Sequence, residues 1–331
     1  MFLLLVLILS FPVFTETFHP YGKIINKTTN TNAIVDSLKI ITLEGGMNVL
    51  KEYKNISSPF SLEKLEVPDS IPILIQVNYK NVNYNKIIPP APMFRQKEQE
   101  IIVFENTKDA SVLRTRSLLQ AIKEEEGFRI YKIYIIENVS NPPRSFVQTE
   151  TPLEIYIPES ALHLTGSLLQ EGSRMAIPLQ FTDGTKGKNF QRPILPGKNE
   201  LQISFFMNTQ GSDLQLKDKV LFESDSNSRP IFIKPTDVET QFANAISSKE
   251  IKEELPPGIR AFSVQYPKDV PLEISLKGGT PQRQTTDGTR EQINGKWFYS
   301  YDRSLAGIAL VLAFLFFLKY FSNTIAKRKH P

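Results

Sequence analysis

The chain has 331 residues, 39 lysines and arginines against 35 aspartates and glutamates, a formal charge of +4 and no cysteine. Four of the basic residues (Lys319, Lys327, Arg328 and Lys329) lie in or just before a short tail, so the remainder is near neutral and nucleic-acid binding is excluded as an organising theme. Without cysteine there is no disulfide and no thiolate metal site, so the domains must hold by core burial, which suits a bacterial envelope better than a eukaryotic cell surface.

Residues 1–15, MFLLLVLILSFPVFT, form an apolar run of signal-peptide length, too short to span a bilayer comfortably. They lack a basic n-region; an uncleaved anchor and a hydrophobic first strand are the alternatives. Residues 18–107 read as seven short strands, at 21–25, 37–43, 48–53, 60–65, 73–79, 82–87 and 100–105. Several alternate apolar and polar residues, so that every second side chain can face a core. Turn formers separate them, among them Gly45-Gly46, Pro68-Asp69, Lys80-Asn81 and Pro89-Pro-Ala-Pro92. This pattern predicts an antiparallel β-sandwich.

Gly22-Lys-Ile-Ile-Asn-Lys-Thr28, the apolar positions of 33–41, the Phe60-Ser-Leu62 strand and the hairpin over 73–84 resemble the carboxypeptidase regulatory-like (transthyretin-like) domain of bacterial envelope proteins. That module opens on a G-x-I-x-N-x-T strand; Ser58 stands where its later strand would carry glycine. The resemblance covers about 90 residues and implies an accessory β-sandwich with no catalytic residues.

Residues 105–117 read as a polar joint. Beyond it, 118–122 and 128–136 are expected to pair as a hairpin around Glu124-Glu-Glu-Gly127, itself read as a solvated turn. Further strands are expected at 153–157, 162–169, 176–182, 200–208, 214–222 and 231–234. Those at 238–245, 260–266 and 272–276 are read as edge strands of the same second sandwich, spanning 112–279.

Residues 280–300 read as a juxtamembrane spacer, starting in the Gly/Thr/Gln-rich run that opens at Gly278. Trp297, Phe298, Tyr299 and Tyr301 suit an interfacial aromatic belt before an apolar run over 305–318. With Lys319 snorkelling, residues 303–323 reach spanning length; a buried core helix is the alternative. Lys327, Arg328 and Lys329 mark residues 324–331 as a cytoplasmic tail by the positive-inside rule. The expected whole is all-β: two antiparallel β-sandwich domains plus a C-terminal single transmembrane helix, in the bacterial inner membrane with the sandwiches outside the cytoplasm.

No motif announces a chemistry. The histidines are His19, His163 and His330, and neither H-E-x-x-H, G-x-S-x-G nor a Gly-rich phosphate loop is present. His163 reads as an outward strand residue. Glu154, Glu159 and Asp183 could serve a glycosidase only if the fold joined them. The sequons at Asn26, Asn55 and Asn138 read as coincidences of an Asn-rich chain. No cofactor is expected, and the partners expected are membrane lipid at the helix and an envelope protein. The leading expectation is a non-enzymatic binding or assembly protein; the alternative is an anchored hydrolase or carbohydrate-binding protein.

Overall fold

The computed structural model describes residues 15–281, apart from 149–152, 174, 186, 210–212, 219–227, 253–254 and 268–269. It is all-β, with several antiparallel sheets, and its buried apolar residues form two clusters. Among the described residues no helix is long and apolar enough to cross a membrane. The expected signal segment up to residue 14, the expected 303–323 span and tail, and the residues expected at the membrane interface, Trp297, Phe298, Tyr299, Tyr301, Lys319, Lys327, Arg328 and Lys329, all lie outside the described residues.

The first cluster fills a sandwich of two main sheets. In one, the order is Asn48–Ser57, Ile34–Thr42, Ile73–Tyr79, Val82–Ile88, antiparallel throughout. The other carries Tyr21–Asn26 between Gln99–Val103 and Thr31–Asn32, with Phe60–Ser61 also on Tyr21–Asn26. Alternation explains the packing: Leu38 and Ile40, Ile75 and Val77, and Ile24 and Ile101 all face one core. A ladder of Thr15–Phe18 with Leu65–Pro68 closes one side. Its Glu16 holds Arg95, which is buried and also donates to the carbonyls of Pro68 and Ile71.

The second cluster lies under an eight-stranded sheet. Its order is Ile177–Pro178, Leu162–Leu169, Gly197–Asn208, Gly127–Asn138, Leu113–Lys123, Ser228–Lys234, Arg260–Gln265, Ser247–Ile251. Leu214–Asp218, Leu272–Gly278 and Val238–Ala243 form a smaller sheet over it, and Leu153–Ile155, Lys188–Phe190 and Thr182–Asp183 form another. The expected hairpin is present, pairing Leu113 with Asn138 through to Lys123 with Phe128.

Three expectations need correction. The sheets are not purely antiparallel: Gln99–Val103 runs parallel to Tyr21–Asn26, Ser228–Lys234 to Leu113–Lys123, and Ser145–Phe146 to Asn106–Thr107. Long intervening chain makes these crossovers possible. Arg260–Gln265 is an interior strand and Leu272–Gly278 the centre of its sheet, so neither is an edge. The Glu124 turn is not merely solvated, because Glu124 takes Arg129 on both oxygens, at 2.8 and 3.3 Å.

The polar joint proves to be a bonded seam. Glu105 Oε1 accepts from Asn26 Nδ2 at 2.8 Å and from Tyr79 OH at 2.6 Å, while Oε2 meets Lys80. Thr28 Oγ1 donates to Pro143 O at 2.5 Å and accepts from Glu105 N. Tyr84 OH lies 2.9 Å from Ser145 Oγ, and Val147 and Leu195 pack against the first core. The described residues of both sandwiches accordingly fall within one compact unit. The seam also explains two sequons: Asn26 and Asn138 are buried and their amide nitrogens already donate, Asn138 to Arg144 O and Ile194 O.

Lys80 foremost, then Tyr79, holds the Glu105 carboxyl below its usual range. Its contribution is therefore complete above the unfolded glutamate value and is lost as pH falls through the depressed folded value. Glu105→Ala should cost about 2 kcal/mol at neutral pH by leaving Tyr79 OH without its acceptor and Asn26 Nδ2 with only the 3.3 Å bond to Tyr79 OH. In urea titrations of the full chain, the gap between wild type and variant should close as the solution is acidified.

Candidate functional site

A groove of about 650 Å³ lies between the two sandwiches. One wall is the Ile73–Tyr79 and Val82–Ile88 hairpin with Phe94 and Lys97; the other comes from 170–178 and 192–193. Neither wall belongs to one motif, so nothing local in the sequence marks it.

The hairpin explains the first wall. Lys80 and Asn81 form a two-residue turn, with φ of +50° and +64°. Asparagine tolerates that left-handed region, and a turn of this hand matches strand twist. Such a turn closes on a pair that exchanges both hydrogen bonds, here Tyr79 with Val82. Along the ladder, Tyr84, Lys86 and Ile88 then bond inward to the neighbouring strand. Asn83, Asn85 and Ile87 turn their N–H and C=O outward, because Val82–Ile88 ends its sheet. On the outer face, Gln76 Nε2 donates to Asn85 Oδ1 at 3.0 Å and Asn78 Nδ2 to Asn83 Oδ1 at 2.7 Å.

Apolar side chains complete the groove. Met47 is 55% exposed and Met175 42%, while Ile177, Pro178 and Pro193 stand opposite the hairpin. Its charged lining residues among those described are Lys86, Lys97 and Arg192, with no Asp, Glu or His. Lys97 lies 5.4 Å above the Phe94 ring. None of the three cations forms an ion pair with a described carboxylate. A surface of amides, apolar groups and cations can bind and orient a ligand.

The acidic residues flagged from sequence do not build a site. Asp183 pairs with Lys188, Glu154 lies opposite Asn189, and Glu159 is an exposed turn residue. His163 is exposed, as expected, at a bulge with φ +53°. His19 lies 3.0 Å from Ser61 Oγ. Among the described residues no cluster of three His, Cys, Asp or Glu could hold a metal.

A second polar constellation is fully internal and escaped the sequence reading. Lys132, Asp218 and Arg229 are 0%, 1% and 2% exposed. Asp218 contacts Lys132 through Oδ1 and Arg229 through Oδ2. Lys132 Nζ also donates to Tyr156 O at 2.5 Å and lies 5.9 Å from the Phe205 ring. Burial, then the Arg229 guanidinium, pushes the Lys132 ammonium well below its usual range. Burial likewise raises the phenols of Tyr134 and Tyr266 beside Arg229. The triad is sealed from solvent, so it bears on stability and not on a ligand. The signal was present: Lys132 falls in phase with Phe128, Ile130, Tyr134 and Ile136 on the core face of one strand.

No family model matches this chain, and no curated protein matches it.

Proposed function

We propose that this is a non-enzymatic, single-pass envelope protein of the bacterial inner membrane, whose two sandwiches work outside the cytoplasm by binding another protein in the inter-sandwich groove. The lining of the groove carries this reading: apolar side chains, paired amides and three cations converge there, with no carboxylate pair or histidine among the described lining residues. Hydrolysis of a glycosidic bond needs two carboxyl groups about the scissile bond. The anchoring half of the proposal rests on sequence, on the apolar run over 305–318 and the basic cluster Lys327-Arg328-Lys329. An accessory role also agrees with the resemblance of the first sandwich to carboxypeptidase regulatory-like domains. The exposed Gln76–Asn85 and Asn78–Asn83 pairs suit sugar hydroxyls as well as peptide groups, which makes carbohydrate binding the alternative.

A photoreactive residue in place of Met175 or Met47, in the full-length protein in its native membrane, tests this. Both positions are exposed on the groove; Ile246, 67% exposed elsewhere, is the control. The expected result is one discrete protein adduct shared by the two methionine positions and absent from Ile246. Adducts of equal yield at all three positions, or none at any, would overturn the proposal.

A further inference from the structure

We infer that the groove takes an extended, acidic peptide segment of its partner, added as a fifth strand along Val82–Ile88. This rests on the reading of the groove as a protein-binding surface and specifies what enters it.

Three observations converge. The first is the free sheet edge. Asn83, Asn85 and Ile87 direct both backbone polar groups away from Ile73–Tyr79, and no other strand pairs with them among the described residues. Unpaired edges are commonly covered, bulged or charged to prevent association. This one lies instead along a preformed groove whose far wall offers Ile177 and Pro178. A strand entering there gains main-chain hydrogen bonds from the edge and side-chain contacts from the wall.

The second observation is charge. Lys86, Lys97 and Arg192 line the groove with no acidic residue among the described lining, although the chain as a whole is close to balanced. Lys86 illustrates the choice between readings. It shares the phase of the buried Val82, Tyr84 and Ile88 yet is exposed, which alone could be a device against edge pairing. With two further unpaired cations on the groove, the arrangement repels basic strands and attracts acidic ones.

The third is the rim. Met47 and Met175 are both exposed and both line the groove. Their flexible, polarisable side chains can repack around varied side chains of a bound segment.

The test is fluorescence anisotropy of labelled, strand-length peptides on the full-length protein in detergent. One peptide alternates valine with glutamate, one valine with lysine, and one is the glutamate peptide N-methylated on alternate residues. The expected result is saturable binding of the glutamate peptide alone, weakening as salt is raised. Asn85→Pro removes an outward donor and the side-chain bond from Gln76 while leaving the backbone hydrogen bonds to Ile73–Tyr79 in place, and should weaken binding about tenfold. The double variant Lys97→Glu, Arg192→Glu alters two side chains without an ion-pair partner among the described residues and should abolish the preference for acid. Equal binding of all three peptides, an unaffected Asn85→Pro variant, or no saturable binding in the millimolar range would each overturn the inference. If the peptides fail while the Met175 adduct persists, strand addition is wrong and the groove remains a binding surface. If the adduct is absent too, both readings fall.

Discussion

Asp218→Ala should destabilise the second sandwich by about 3–5 kcal/mol. The substitution leaves two cations, Lys132 and Arg229, in a core where both are at most 2% exposed. Their remaining partners are neutral, Tyr156 O for Lys132, and Leu118 O with the Tyr134 and Tyr266 hydroxyls for Arg229, and these cannot replace a carboxylate. A loss of this size corresponds to a fall in Tm of about 10 °C for a unit of this length. Lys132→Met should behave oppositely. It preserves the Arg229–Asp218 pair, fills similar volume beside Phe205 and removes the charge in excess, so the protein should be unchanged or slightly more stable. Equal damage from the two variants would refute the view that one carboxylate serves two cations here.

The same cluster fixes a pH dependence. An unfolded lysine holds its proton to about pH 10.4. Folded Lys132 releases it earlier, because burial and Arg229 disfavour the charged form. Between the two values the unfolded chain binds more protons, so stability rises with pH through that window and declines as pH drops. Urea midpoints of wild type should rise relative to those of Lys132→Met across mildly alkaline solutions. Parallel curves would show that Lys132 stays charged in the fold.

Gly22→Ala should be the most damaging small change in the first sandwich, at about 3 kcal/mol. A Cβ built on Gly22 would lie 1.9 Å from Gln99 O and 2.7 Å from Gln99 C, both backbone atoms. The strand cannot easily yield, since Gly22 pairs with Gln99 on one side and Phe60 on the other. Gln99 is itself held, its Nε2 donating at 2.8 Å to both Phe94 O and Lys97 O. Displacing Gln99 would therefore shift Phe94 and Lys97 on the groove wall. The variant should lose both thermal stability and the Met175 adduct. Gly258→Ala is the comparison: its φ is +80° but no atom lies within 4 Å of its Cβ, so only the left-handed backbone counts, about 1 kcal/mol.

Most strands were legible because their cores alternate. Leu162–Leu169 and Ile73–Tyr79 are legible to the residue, and of the hairpin partners Gly127–Asn138 is legible within two residues, whereas Leu113–Lys123 is legible only from 118, its first five residues reading as joint. Several of the missed strands gave no period to read. Ser247–Ile251 is exposed at nearly every position, and Thr31–Asn32 and Ser145–Phe146 have two residues each, too few for a period to show. Direction was illegible for a different reason: alternation says which face is buried but not which way the neighbour runs, so the parallel pairings were invisible. The groove joins the 74–99 and 170–193 regions, and the triad joins positions 132, 218 and 229. Neither arises from spacing along one element. Lys132 was nonetheless detectable, as a charge in phase with four apolar core residues. The Gly22, Asn26 and Thr28 positions of the first strand were noticed as a motif, and each has a local cause: close approach to Gln99, a buried amide on Glu105, and the hydroxyl on Pro143.

Leu272–Gly278, the middle of its three-stranded sheet, carries a consequence for synthesis. Its Leu272, Ile274 and Leu276 are fully buried, and it is the shared partner of Leu214–Asp218 and Val238–Ala243. Growing chains that have not yet reached Leu272 leave those two earlier strands unpaired and their apolar faces open to water. The second sandwich can therefore close only once the last described strand has been made. Nascent intermediates long enough to contain every other strand would still depend on being held extended, and a premature stop just upstream should yield an aggregating product rather than a trimmed one.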